Sequence, residues 1–493
     1  MFSFNPPYGL AWKIGFGISP EWTVEPDLIV IENLARHHLD LPYNSSIRCT
    51  VTYLSEGANN KVYKVETTND TFVMRVGLPL DMPFKVESEV ATCDFLRELS
   101  IPTPNVLAYD PTNDNQLRFP WMLMEMVNGE PAKGMEDWRD IPMIKRKRLV
   151  KQLAQFHSRL FDYRFSTIGS LIYSPNYERQ TQDHVRRATC QFKAFLFAFT
   201  ILPLISCQPT LALLISCILL RSRPKLASHR SLPPQIGRCS SLDFFFADEA
   251  TPRGPFETDI QWLYARLHDA RARQVSQLQP NGPEALWHNQ QRMLNFTDRV
   301  IRCIPRLFSA PNEHNLAKTP SESWSNAMIL FAADLLWGNM LIDDEADLVA
   351  YIDWEFVSTA PCWAACRLPK IFNERNYEEP FKEDYPPELD DSTPMPNPNG
   401  EVNDMYWFDL MDYQCMVLRD IDLAEMATLN PAWMREYREG AVKREFLELV
   451  LSAEKAYIFN GYEWDWLEKV EKEESTNGVL DGLHRENDDL FGG

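Results

Sequence analysis

Hydrophobic and polar residues alternate with a period of two in the first third of the chain, and the period then lengthens to that of a helix. Val51 to Val65 reads as strand, turn and strand, with Gly57 in the turn. Thr71 to Val76 is a further strand, with Phe72, Met74 and Val76 on one face and Val73 and Arg75 on the other. From Lys85 to Arg97, Val86, Val90, Cys93 and Leu96 recur at helical spacing. They predict an amphipathic helix with Glu89 near its inner edge, within reach of Arg75. Ile101-Pro-Thr-Pro104 closes that helix, because proline cannot continue it. Trp121 to Met126 is an apolar strand running into a turn at Gly129. Helical spacing returns at Val150, Leu153, Ala154, His157 and Leu160, where His157 reads as a satisfied core histidine rather than a base. It recurs over most of 257–304, with a break at Pro280-Asn-Gly-Pro283, and at Val442, Phe446, Leu449, Val450, Ala453 and Tyr457. Residues 373–404 are acidic and carry six prolines, which suits a loop or lid.

The most specific chemistry lies in the second half. Asp334 stands five residues before Asn339, and Asp353 follows fourteen residues later. Met340 to Ile342 and Leu348 to Ile352 are short apolar runs around an acidic turn, Asp343-Asp-Glu-Ala-Asp347, so the segment predicts a β-hairpin. A hairpin brings its two ends together, here Asn339 and Asp353. Magnesium is a hard cation that takes oxygen ligands and shares them with phosphates, so an amide oxygen beside a carboxylate suits Mg²⁺ on ATP. Asp334 can then accept the proton of a substrate hydroxyl. The plain alternative is a surface hairpin with an acidic residue near each strand end. Asp343 and Glu355 would favour a cationic acceptor, although Asp343 reads equally well as a turn residue.

The order of these features resembles a known family. Ser55-Glu-Gly-Ala-Asn-Asn-Lys-Val-Tyr63, Ser88-Glu-Val-Ala-Thr92, Ile101 to Tyr109, Gln152 to His157, Ile168-Gly-Ser170, Arg253-Gly-Pro-Phe256 and Ile352-Asp-Trp-Glu355 are similar to segments of the fungal aminoglycoside phosphotransferase (APH) and choline-kinase-like family. The resemblance implies an α+β, bilobal, protein-kinase-like fold, with a small β-rich N-lobe, a larger mainly helical C-lobe and ATP in the cleft. It implies Asp334 as catalytic base and Asn339 and Asp353 as Mg²⁺ ligands. It also implies Gly57, Asn60, Arg75, Glu89, Glu125 and Met126 around the nucleotide, with Arg75 at the phosphate-binding cation and Glu89 as its ion-pair partner. The implied activity is ATP-dependent transfer of a phosphoryl group to a hydroxyl of a small molecule. Two departures stand out. Ala332 replaces the histidine usual two residues before the base, and Arg75 stands where protein kinases carry lysine, which binds phosphate differently. They keep open a second reading, a nucleotide-binding pseudokinase with a sensing or scaffolding role.

Composition narrows the class. A net charge of −21 argues against nucleic acid and anionic membrane surfaces as partners, and no stable membrane association is expected. Ten cysteines in no regular framework point to a reducing compartment, and the cytoplasm is the expected location. Cys362 and Cys366 could start a zinc site, but without a second ligand pair they read as core thiols. The start of the chain shows no basic region followed by an apolar stretch, so no secretory signal is expected.

One segment departs from the rest. His184 to Leu242 contains no Asp or Glu, in a chain with 70, and carries eight Lys or Arg. Its apolar runs are cut by Pro203, Gln208 and Pro209 into pieces shorter than the ~20 residues of a membrane span. Three readings compete: an interfacial hairpin, a buried insertion, and a translated intron from Val185 to Gln235. The expected division is an N-terminal extension (1–44), an N-lobe (45–128), the start of the C-lobe (129–184), the anomalous insertion (185–235), the remaining C-lobe with its catalytic loop and C-terminal helices (236–470) and a disordered tail (471–493).

Overall fold

The computed structural model opens with a two-stranded hairpin, β1 (Leu10–Ile14) and β2 (Ile18–Trp22), and a helix, α1 (Leu28–His38). It describes residues 6–14, 18–42, 47–132, 141–173, 234–241, 244, 247, 250–280, 283–308, 327–331, 336–372, 374–385, 402, 404–455 and 461–472. Asp27 caps α1: its carboxylate accepts the Ile29 N–H at 2.8 Å, supplying a partner that a helix start otherwise lacks.

The strands that follow are β3 (Cys49–Glu56), β4 (Asn60–Thr67) and β5 (Thr71–Gly77), then α2 (Phe84–Glu98), β6 (Val106–Asp110) and β7 (Trp121–Glu125). All strand pairs are antiparallel, in the order β3-β4-β5-β7-β6. The alternation read from the sequence decides the faces. Met74 and Val76 of β5 pack with Val65, Leu123 and Trp121 against Ile31, Leu34 and Ala35 of α1. Val73 and Arg75 therefore project from the opposite face.

Helix α2 corrects one expectation. Val86, Val90, Cys93 and Leu96 are buried as their spacing predicts, but so are Lys85, Glu87, Ser88 and Glu89. The helix is covered on most sides rather than amphipathic. Its charged groups are buried because they meet partners inside the protein: Glu89 pairs with Arg75, Lys85 with Asn60, and Glu87 accepts the Tyr109 hydroxyl.

The chain divides into two compact units. One comprises Met1–Phe95, Asn105–Met126 and Leu171–Gly237; the other comprises Leu96–Pro104, Val127–Ser170 and Arg238–Gly493. The second begins with β8 (Glu130–Pro131) and α3 (Met143–Asp162); β9 (Leu171–Ile172) and β10 (Gln235–Ile236) belong to the first. Helices α4 (Asp259–Ser276) and α5 (Glu284–Leu307) flank the predicted break at Pro283. Strands β11 (Met328–Phe331), β12 (Met340–Ile342), β13 (Leu348–Tyr351) and β14 (Ser358–Pro361) come next, then helices α6 (Cys362–Ala365), α7 (Asp404–Leu429), α8 (Pro431–Glu439), α9 (Ala441–Lys455) and α10 (Tyr462–Glu471).

The main core of the second unit joins Leu263 and Leu267 of α4, Phe296 and Val300 of α5, Phe446 and Val450 of α9 and Trp466 of α10. Arg266 crosses from α4 to α9 as a fork on Glu454, at 2.6 and 2.8 Å. The architecture is the expected α+β one: a β-rich N-terminal part and a mainly helical C-terminal part. Cys362 and Cys366 lie buried in a second apolar cluster, and burial pushes the Cys362 thiol up to about 12. His157 is partly buried, its Nδ1 has no hydrogen-bond partner among the described residues, and burial draws its pKa down to about 4. It is a core histidine, but among those residues that nitrogen is not satisfied. No described helix is long and apolar enough to cross a membrane. The anomalous segment lies outside the described residues except for its last two, Pro234 and Gln235.

Candidate functional site

In the first unit, four of the residues proposed for a nucleotide, Gly57, Asn60, Arg75 and Glu89, lie toward one end of the sheet. Gly57 and Asn60 bracket the β3–β4 turn, closed by the Gly57 N–H donating to the Asn60 carbonyl at 2.9 Å. A Cβ on Gly57 would meet nothing within 4 Å among the described residues. Arg75 and Glu89 form the expected ion pair, with 10% and 4% of their side chains exposed. Alternation on β5 places Arg75 on the face away from α1, and helical spacing on α2 turns Glu89 toward it.

At the other end of this unit, Glu125 is the last residue of β7 and Met126 follows it. The Glu125 carboxylate accepts the Asn105 N–H at 2.8 Å, and its own N–H donates to the Asn105 carbonyl at 3.0 Å. Both groups of Glu125 thus bond to Asn105 within the unit.

The second unit carries the predicted hairpin. β12 and β13 pair with Met340 opposite Tyr351 and Leu341 opposite Ala350. The ladder extends one step further, where the Ile352 N–H donates to the Asn339 carbonyl at 2.9 Å. Asn339 and Asp353 are thereby brought to one end of the hairpin, and both are partly exposed. Asp353 has φ of 66°, in the left-handed region that Asp tolerates better than most residues. Strained backbone of this kind persists where the surroundings hold it, and it gathers at functional sites. Here the neighbours hold it firmly. Trp354 is buried, and its indole N–H donates to the Tyr351 carbonyl at 2.9 Å; the Tyr351 N–H in turn donates to Pro102 at 2.8 Å.

Supports converge on the far end of the hairpin. The Asp343 carboxylate accepts the N–H groups of Glu345 and Asp347 at 3.0 and 2.9 Å, which makes Asp343 the turn residue. Glu355 is then the remaining acidic candidate for an acceptor. Helix α3 clamps the same turn. Gln152 donates to the Asp347 carboxylate at 2.8 Å and accepts the Leu348 N–H at 2.9 Å, and Lys145 donates to the Asp344 carbonyl at 2.8 Å. β8 completes a three-stranded sheet, with Pro131 opposite Leu341. Gly129 permits that approach, because a Cβ there would lie 2.6 Å from Val349. Asp334, with Ala332, lies outside the described residues.

Two supporting residues carried little signal in the sequence. Gln152 sits among helix-favouring polar residues, and its partners lie 195 and 196 positions away. Lys85 is a lysine before a helical run and reads as a solvated charge, yet it is buried against Asn60.

Residues 50–209 match the model of the phosphotransferase enzyme family APH, a span that contains Gly57, Asn60, Arg75, Glu89, Glu125 and Met126. A subtelomeric hrmA-associated cluster protein of Aspergillus fumigatus is 34% identical over 136 residues, covering 27% of this chain and 26% of that protein. Altered inheritance of mitochondria protein 9, mitochondrial, of Meyerozyma guilliermondii is 35% identical over 134 residues, covering 25% of this chain and 21% of that protein. The chain thus spans about a quarter of the length of the curated relatives it matches. Among solved structures, aminoglycoside phosphotransferase APH(4)-Ia aligns at 10% identity and a TM-score of 0.38, covering 91% of this chain and 93% of that one. Over residues 50–209, the chain is similar to the phosphotransferase enzyme family APH.

Proposed function

We propose that this protein transfers the γ-phosphoryl group of ATP to a hydroxyl of a small molecule. The observation that supports the reading is the hairpin ladder ending at Asn339 and Ile352, which puts the backbone of Asn339 and Asp353 at the same end of the hairpin. Their side chains, hard oxygen donors of low total charge, suit Mg²⁺ shared with phosphates. Bound Mg²⁺ would neutralise charge on the β- and γ-phosphates, with Asn339 and Asp353 holding it. From the first unit, Arg75, held by Glu89, counters further phosphate charge, and the Gly57 turn lies against the phosphates. Glu125 and Met126 meet the adenine through main-chain groups.

Asp334 orients the acceptor hydroxyl and takes its proton as the new O–P bond forms and the β,γ bond breaks, releasing ADP. Catalysis of this kind is mostly positioning and charge stabilisation. Glu355 favours an acceptor that carries a positive charge. The acceptor is a small molecule, and nucleic acid is not a partner of so acidic a chain. The cytoplasm remains the proposed location; the relative named as mitochondrial makes the mitochondrion the competing one, and fractionation of the tagged protein separates them.

The test has two stages. Thermal unfolding with ATP, with and without Mg²⁺, should show a shift that needs the metal. ATP consumption is then measured across a panel of hydroxyl-bearing metabolites, with Asp334→Ala as the inactive control. Absence of any ATP-dependent shift would sink the reading. A shift without turnover on any acceptor, unchanged by Asp334→Ala, would favour the pseudokinase reading, which Ala332 supports on sequence.

A further inference from the structure

Lys85 is only 2% exposed, in the first turn of α2, and its ammonium donates to the Asn60 side-chain oxygen at 3.2 Å. Asn60, 9% exposed, opens β4 directly after the Gly57 turn and lies opposite Gly77 in the ladder. Around this pair the main chain is pinned. The Leu78 N–H donates to the Asn59 carbonyl at 2.8 Å, and the Gly77 N–H to Pro120 at 2.9 Å. Gly77 leaves room for the pair, since a Cβ there would stand 3.1 Å from Asn60 Oδ1 and 3.5 Å from Lys85 Nζ. A buried ammonium is costly unless specific partners hold it, so this placement needs a reason beyond solubility. One helical turn along α2, on the same face, Glu89 meets Arg75. The helix thus grips the sheet at two points, one under the phosphate cation and one under the Gly57 turn.

We infer that Lys85 is a positioning residue for the nucleotide's phosphates, acting through Asn60 to set the Gly57 turn; this rests on the phosphotransferase reading above. A residue acting this way supports binding of the polyphosphate and not of the base and sugar. The test compares the affinity of the full chain for Mg-ATP and for adenosine by calorimetry. Lys85→Met should weaken ATP binding about tenfold, the loss of one charge-assisted hydrogen bond, while adenosine affinity changes less than about twofold. Asn60→Ala should give the same phosphate-selective loss. The double variant should be no worse than either single one, because both break one link. Lys85→Arg, which keeps a cationic donor, should recover part of the ATP affinity.

An equal loss for ATP and adenosine, or additive losses in the double variant, would make Lys85 a general structural support and overturn the inference. If Lys85→Met shows no cooperative unfolding, Asn60→Ala decides alone, and an unchanged ratio of the two affinities overturns the inference. A wild-type chain that binds neither ligand overturns the phosphotransferase reading and this inference with it. One that binds ATP with unaltered selectivity in the variants overturns only the inference.

Discussion

Arg75 and Glu89 are ion-paired within the first unit, with 10% and 4% of their side chains exposed. Removing one partner leaves the other charge buried without this ion pair, which costs about 3–5 kcal/mol, whereas replacing both with apolar residues of similar volume is often neutral. Glu89→Leu alone should therefore lower the unfolding free energy by about that amount in urea titrations. Arg75→Met with Glu89→Leu should recover most of it. On the proposed reading the double variant should nevertheless lose ATP binding, since Arg75 would be the phosphate cation. A double variant that binds ATP as wild type does would remove Arg75 from the nucleotide site.

The acidic turn of the hairpin depends on Gln152, which donates to Asp347 and accepts from Leu348. Gln152→Leu breaks both bonds and should cost about 1–3 kcal/mol. It should also shrink the Mg²⁺-dependent part of the ATP-induced thermal shift, because the other end of this hairpin carries Asn339 and Asp353. Arg148 also pairs with Asp347 but is about half exposed, so Arg148→Ala should cost less than about 1 kcal/mol. If both variants change the metal-dependent shift equally, the clamp is not what orders the hairpin.

How much of this was readable in advance follows from where each residue finds its partner. The hairpin of Asn339 and Asp353 was legible because strand, acidic turn and strand are local. The face of Arg75 was legible from alternation along β5. Lys85, Glu87 and Glu89 were harder, because charged residues on a helix ordinarily mark a solvated face. Their partners are Asn60, Tyr109 and Arg75, at 25, 22 and 14 positions' remove. Only Arg75, on a strand already identified, could be anticipated. Helix α1 was missed although Asp27 is a sound N-cap, because Leu28 and Ile29 are exposed and blur its apolar stripe. Helix α7 was missed because acidic and apolar residues are interspersed along it without a clear stripe.

Asp422 of α7 provides a test of stability against pH. It is fully buried, both its carboxylate oxygens lack hydrogen-bond partners among the described residues, and burial pushes its pKa from 3.8 up to about 7. Between those values the folded state holds a proton that the unfolded chain has released. Asp422 therefore stabilises least at high pH: stability falls as pH rises from about 4 to 7 and is level above, a change on the order of 4 kcal/mol. His157 has the opposite sign. Its pKa falls from 6.5 to about 4, so the unfolded chain holds the extra proton and stability rises with pH across that window. From about pH 4 to 6.5 the two contributions oppose one another, and the wild-type profile from these groups is nearly flat. Asp422→Asn removes one side of that balance. Urea unfolding at pH 5, 6, 7 and 8 should show the variant gaining on wild type through pH 7, with its own stability rising toward pH 6.5. Parallel profiles for the two proteins would mean that Asp422 is ionised in the folded state, with a partner or water that lowers its pKa.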